Sequence, residues 1–175
     1  MVAAEVGRSL EASLDVVVAL PFGPPGSPDL SVGAVASDGT VVVDEALASR
    51  LGLGPADLAP EEARAASEAA RRERSLRAGG ELRLAGRTVV VVDDGVAGGA
   101  TMRAALALVR RGRPAWLVCA VPIGPPATID LLAAEADEVV CPLQSLRFGS
   151  VEEWYEAFPE VGDDEVRALL EAQGS

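Results

Sequence analysis

The sequence predicts an α/β domain: an open, mainly parallel sheet flanked by helices, with a β-hairpin at the sheet edge. Three observations carry this. Short runs rich in Val, Leu and Ile alternate with longer Ala-, Leu- and Arg-rich stretches of helical spacing. Strands that alternate with helices form parallel sheets covered on both faces. The run Asp15-Val16-Val17-Val18-Ala19-Leu20 is apolar at successive positions, as parallel central strands are. Finally, Asp38-Gly39 separates two β-rich runs, and a two-residue Asp-Gly loop marks a hairpin because both positions need positive φ. With 175 residues and no internal repeat or interdomain linker, the chain reads as one domain.

Each element follows in order. Val2, Val6, Leu10 and Leu14 fall at helical spacing, so a helix is expected over residues 2–13. Asp15–Leu20 is the first strand. Pro21-Phe22-Gly23-Pro24-Pro25-Gly26-Ser27-Pro28-Asp29 reads as a rigid surface loop. Val32–Ser37 and Thr40–Val43 are the hairpin strands. A short helix is expected from Asp44 to Leu53. Pro60-Glu61-Glu62 opens a long helix to about Arg77, with Pro in its first turn, and Gly79-Gly80 ends it. Glu68–Arg72 and Glu73–Arg77 are spaced to pair along that helix. Its Arg71, Arg72, Arg74 and Arg77 are either a solvated face or an arm over an anionic ligand. Strands at Thr88–Asp93, Ala115–Ile123 and Glu138–Cys141 alternate with helices at Ala100–Arg111 and Ala127–Ala136. Asp163–Ala172 is a final amphipathic helix.

Composition excludes several function classes. The formal net charge is −12, and such a surface repels a phosphate backbone, so nucleic acid is not an expected partner. The chain has no His, and all 15 of its cations are Arg. It therefore lacks the usual general base, the commonest zinc ligand, a Schiff-base Lys and a P-loop Lys. Cys119 and Cys141 sit in apolar runs and read as small buried hydrophobes rather than redox or metal groups. A reduced, cytoplasmic protein fits. We find no signal-peptide pattern at Met1–Arg8 and no run near the ~20 apolar residues that span a membrane.

The chemistry concentrates in Thr88–Met102. A β-branched strand ends in Asp93-Asp94, a loop of tiny residues follows, and then a helix begins. In open α/β sheets ligands sit outside the carboxyl ends of the strands. Gly95 through Thr101 offers backbone N–H groups with little side chain to block approach, and the helix amino end adds about half a positive charge. This is a monophosphate cradle, to which Thr101 adds a hydroxyl donor. The two carboxylates suit a pair of sugar hydroxyls or an Mg²⁺ ion. A Gly-rich turn alone would also serve as a plain strand–helix connection.

Val-Val-Val-Val-Asp-Asp-Gly-Val-Ala-Gly-Gly-Ala-Thr-Met closely resembles the phosphoribosyl-pyrophosphate motif of type I phosphoribosyltransferases. That motif is an apolar strand, two acids, two variable positions, then Ala-Thr-Gly-x-Thr. The Gly23–Asp29 loop, the Asp-Gly hairpin, the Arg-rich helix, Ala120-Val121-Pro122-Ile123, Ala136–Cys141 and Trp154-Tyr155-Glu156-Ala157-Phe158 resemble a bacterial subfamily. The resemblance covers nearly the whole chain. It implies that the 5-phosphate rests on Ala97, Gly98, Gly99, Ala100 and Thr101, while Asp93 and Asp94 hold the ribose hydroxyls. It also implies Mg²⁺ bridging pyrophosphate and ribose oxygens, with Asp93 and Asp94 as its candidate protein ligands. Pyrophosphate leaves as a nitrogen base attacks C1, so positioning and charge neutralisation do most of the catalysis. The implied partner is a ribose phosphate or nucleotide, and the resemblance also suggests a homodimer, which no residue of the sequence sets.

Three positions depart from the pattern. Gly98 stands where the motif has Thr, which removes one charge-assisted contact worth about 1.5–3 kcal/mol. The resembling enzymes carry an upstream strand and a Pro-Arg-Gly-Gly type loop that grips pyrophosphate, so a helix at the first residues reads as a truncated N-terminus. Leu20 and Pro21 replace an Arg-Lys pair. A non-catalytic nucleotide- or ribose-phosphate-binding relative with a degenerate pyrophosphate site is therefore the alternative expectation. Trp154, Tyr155 and Phe158 either pin the tail to the core or stack on a base.

Overall fold

The computed structural model describes residues 1–27, 30–77 and 80–173. The chain runs α1 (Val2–Ser9), β1 (Ala19–Phe22), β2 (Gly33–Ala36), β3 (Val41–Val43), α2 (Glu45–Arg50) and α3 (Pro55–Arg77). It continues through β4 (Thr88–Val92), α4 (Ala100–Arg111), β5 (Trp116–Ala120), β6 (Ile123–Gly124) and α5 (Pro126–Ala133). It ends with β7 (Glu138–Val140), β8 (Leu143–Gln144), a 3₁₀ turn at Glu152–Trp154, and α6 (Asp163–Gln173).

The expected parallel sheet is present, in the order β4-β5-β7. Val90 faces Val118 and Val92 faces Ala120 across the first pair, and Cys119 faces Val139 across the second. A short parallel pair, β6 with β8, lies beyond it: the strand expected over Ala115–Ile123 breaks after Ala120 and resumes at Ile123, and β8 had no signal in the sequence. The hairpin is also present, but its loop has three residues, Ser37 to Gly39, closed by Ala36 N–H donating to Thr40 O at 2.8 Å. Gly39 alone takes positive φ (83), whereas a two-residue loop would need it at Asp38 too. Its β2 is fully buried between β1 and β3.

β1 begins at Ala19 rather than Asp15 and differs from expectation in two further ways. It pairs antiparallel with β2, although its apolar run read as a parallel strand. Periodicity reports burial on two faces, not strand direction. β1 also runs through Pro21 and Phe22, which read as loop. Ser37 N–H donates to Val18 O, so the bonded positions on this strand are 18, 20 and 22. Pro21 falls between them on an outer strand, where a missing N–H costs no ladder bond.

α4 packs against β1, β2, β3 and β5, and so joins the two main sheets. Leu106, Leu117, Cys119 and Leu132 are completely buried around it. α3 covers β1 and β2 with small residues, Ala65 and Ala69, that let the backbones approach. It starts at Pro55 rather than Pro60, because Asp57 accepts the Gly54 N–H at 2.7 Å and fixes an earlier first turn. Gly79, expected in its stop signal, lies outside the described residues.

Three of the four arginines on the Arg-rich face of α3, Arg71, Arg72 and Arg77, are bound to carboxylates of this chain. Glu68 pairs with Arg71 instead of the expected Arg72, and Arg72 reaches Asp163 of α6 at 2.8 Å. The Glu73–Arg77 pair forms as expected, at 2.9 Å. Arg77 also holds Asp15 and the Val16 carbonyl, while Glu73 accepts from Ser37 and the Val18 N–H. That network fixes the lead-in to β1 against α3. No helix among the described residues is long and apolar enough to cross a membrane.

Candidate functional site

β4 delivers the acidic pair to the carboxyl end of the parallel sheet. Asp93 N–H extends the ladder to Ala120 O at 3.2 Å, and Asp94 N–H donates to Asp93 Oδ1 at 2.9 Å. Asp93 keeps an accessible edge, yet enough protein surrounds it to strip part of its hydration. That burial, and then the charge of Asp94, pushes its carboxyl from 3.8 up to about 6. Asp94 is also raised, chiefly by burial, while hydrogen bonds from its own backbone N–H and with the Asp93 side chain pull against that. No ion pair among the described residues involves either carboxylate.

The loop after the pair is held from below. Gly95 is buried where a Cβ would lie 2.8 Å from Val151 and 2.9 Å from Ile123. Val96 N–H donates to Ile123 O at 3.0 Å. Thr128, buried in the first turn of α5, donates its hydroxyl to Ala97 O at 2.6 Å. Gly99 caps α4 at φ 81, a left-handed conformation that glycine adopts without strain.

The upper side is open. Ala97 and Gly98 are exposed, Ala100 and Thr101 half-buried. No side chain caps α4, and its first turn holds no acid, so its leading N–H groups keep their positive field for an incoming anion. The structure therefore brings all seven expected residues, Asp93, Asp94 and Ala97 through Thr101, onto one turn between β4 and α4. A groove of about 370 Å³ elsewhere on α4, lined by Val42, Arg110 and Glu135 among others, shares none of them.

Two contributors escaped sequence reasoning. Thr128 carried no signal at all. Tyr155 was noticed only within an aromatic cluster, but its hydroxyl donates to Asp94 O at 2.5 Å. Both cysteines are free; Cys119 is buried as expected, and burial pushes its thiol up to about 11, whereas Cys141, at the end of a short outer strand, is only half-buried.

An Mg²⁺ ion fits the donor chemistry. The pair is hard oxygen, uncompensated by Arg, and Mg²⁺ takes one or two carboxylates while keeping water and substrate oxygens. No group of three or more His, Cys, Asp or Glu among the described residues could hold a metal, so such an ion depends on substrate oxygens.

The phosphoribosyl transferase domain model matches residues 2–157. Two Mycobacterium tuberculosis proteins, named "Putative phosphoribosyl transferase" Rv0571c (strain H37Rv) and MT0597 (strain CDC 1551), are 39% identical over 171 residues. The match takes in 97% of this chain and 39% of theirs, so the chain spans about two fifths of their length. The crystal structure of TT1426 from Thermus thermophilus is 38% identical, with a TM-score of 0.75 over 98% of this chain and 82% of that one. By sequence and by fold, the chain belongs to the phosphoribosyl transferase domain family.

Proposed function

We propose that the domain binds a 5-phosphoribosyl group and transfers it between pyrophosphate and a nitrogenous base. One observation carries this: the acidic pair and the uncapped amino end of α4 belong to a single turn at a parallel strand end. The 5-phosphate would lie on the N–H groups of Ala97 through Thr101, with the Thr101 hydroxyl beside them. Asp93 and Asp94, ionised, would accept hydrogen bonds from the ribose 2- and 3-hydroxyls and fix the ring.

Fixing both ends of the ribose phosphate presents C1 to the acceptor in one orientation, which removes orientational entropy from the barrier. As the C1–pyrophosphate bond lengthens, positive charge grows on the ribose, and the nearby carboxylates stabilise it. No His or Lys base is needed for that. Bound Mg²⁺, held by Asp93 and Asp94 together with substrate oxygens, would neutralise the pyrophosphate charge.

A binding-only reading is favoured by a specific observation. Leu20 packs into the core and Pro21 faces solvent, so neither supplies a cation, and Gly98 supplies no hydroxyl. The test is incubation with phosphoribosyl pyrophosphate, Mg²⁺ and a panel of purine and pyrimidine bases, with pyrophosphate release as the readout. Base-dependent release supports transfer. Saturable binding without release supports the binding module instead.

A further inference from the structure

We propose that Tyr155 is a positioning residue: its hydroxyl locks the Asp94–Gly95 peptide, and so aims the acidic pair at the ribose hydroxyls. The inference rests on the ribose-binding reading for the word "ribose", but its mechanical part stands alone. Asp93 N–H makes the last ladder bond of β4, and Val96 N–H is the next backbone donor anchored, to Ile123 O. Between them the Asp94 carbonyl has one protein partner among the described bonds, the Tyr155 hydroxyl at 2.5 Å.

The lock is needed because of Gly95. Only glycine fits there, since a Cβ would stand 2.8 Å from Val151. Glycine, however, leaves the preceding peptide free to rotate. A rotation at that peptide would swing the Asp94 side chain, whose spacing from Asp93 the ribose diol demands.

Tyr155 is itself held. Its N–H donates to Glu152 O at 3.2 Å and the Trp154 N–H to Val151 O at 3.1 Å, which closes the 3₁₀ turn. The Phe158 ring tilts against it at 5.3 Å, and Phe148 stacks on Trp154 at 6.3 Å. The same segment presses Val151 onto Gly95. Residues 148–158 thus grip the site from 61 positions away in sequence.

Tyr155→Phe keeps the ring and removes the hydroxyl. We expect faster amide exchange at Gly95 and Val96, a thermal midpoint lower by about 2–4 °C, and ribose 5-phosphate affinity weakened about three- to tenfold, the size of one hydrogen bond. Phe158→Leu, which spares the hydroxyl, should lower the midpoint with little change in affinity. Unchanged exchange at residues 95 and 96 in Tyr155→Phe would overturn the lock. So would altered exchange with unchanged affinity in a wild type that binds. A wild type that ignores ribose 5-phosphate would sink the ribose reading alone, because exchange still decides whether Tyr155 fixes the turn.

Discussion

Asp93→Asn should stabilise this domain while destroying its ligand site. Burial and the Asp94 charge push the Asp93 carboxyl from 3.8 to about 6. The folded chain therefore holds that proton more tightly than the unfolded chain does. The contribution to stability is fully present below 3.8 and is lost as pH rises through about 6. At pH 7.5 the ionised carboxylate works against the fold. The full shift corresponds to at most about 3 kcal/mol, and screening at the accessible edge of Asp93 reduces that to about 1 kcal/mol. Asparagine keeps an oxygen to accept the Asp94 N–H, found at 2.9 Å, and removes the charge. For a domain of this size we expect the midpoint to rise by roughly 2–4 °C at pH 7.5, with the difference vanishing near pH 4. Thermal melts of both proteins at the two pH values check this. A lower or equal midpoint at pH 7.5 would refute the claim that the acidic pair is held under electrostatic strain.

Three further outcomes follow from the same geometry. Ribose 5-phosphate affinity, measured by calorimetry between pH 5 and 8, should fall as pH drops through about 6, because Asp93 then gains a proton and loses the charge that strengthens its bond to a ribose hydroxyl; a flat profile would contradict its role. Gly98→Thr should tighten binding roughly tenfold by restoring a charge-assisted hydroxyl contact of about 1.5 kcal/mol, since a Cβ at Gly98 meets nothing within 4 Å. Gly99→Ala should lower the midpoint by roughly 4–8 °C, about 2 kcal/mol, because φ 81 strains any side chain and its Cβ would lie 2.8 Å from Thr128 Cγ2; a melt within a degree of wild type would show that the cap relaxes freely.

Much of this was legible in the sequence because it is local. Val-Val-Val-Val-Asp-Asp followed by small residues fixes strand, turn and helix within one short stretch, and α4 begins and ends where the sequence placed it. The Asp38-Gly39 turn is local in the same way. What was not legible depends on partners distant in sequence. β1 looks like a parallel strand until β2 is laid beside it. Arg72 leaves its helical neighbour for Asp163, a choice no spacing rule contains. Thr128 and Tyr155 act on the turn through its backbone carbonyls, and backbone acceptors leave no mark on the residues that seek them.

The central claim is that one turn holds both ends of a ribose phosphate. Calorimetric titration of ribose 5-phosphate with Mg²⁺ into wild type and into the Asp93→Asn, Asp94→Asn double variant tests it most directly. We expect saturable binding by the wild type and at least a tenfold loss in the double variant, about 1.4 kcal/mol or more, with the fold preserved by circular dichroism. Equal affinity in the two proteins, or no binding by the wild type, would contradict the account.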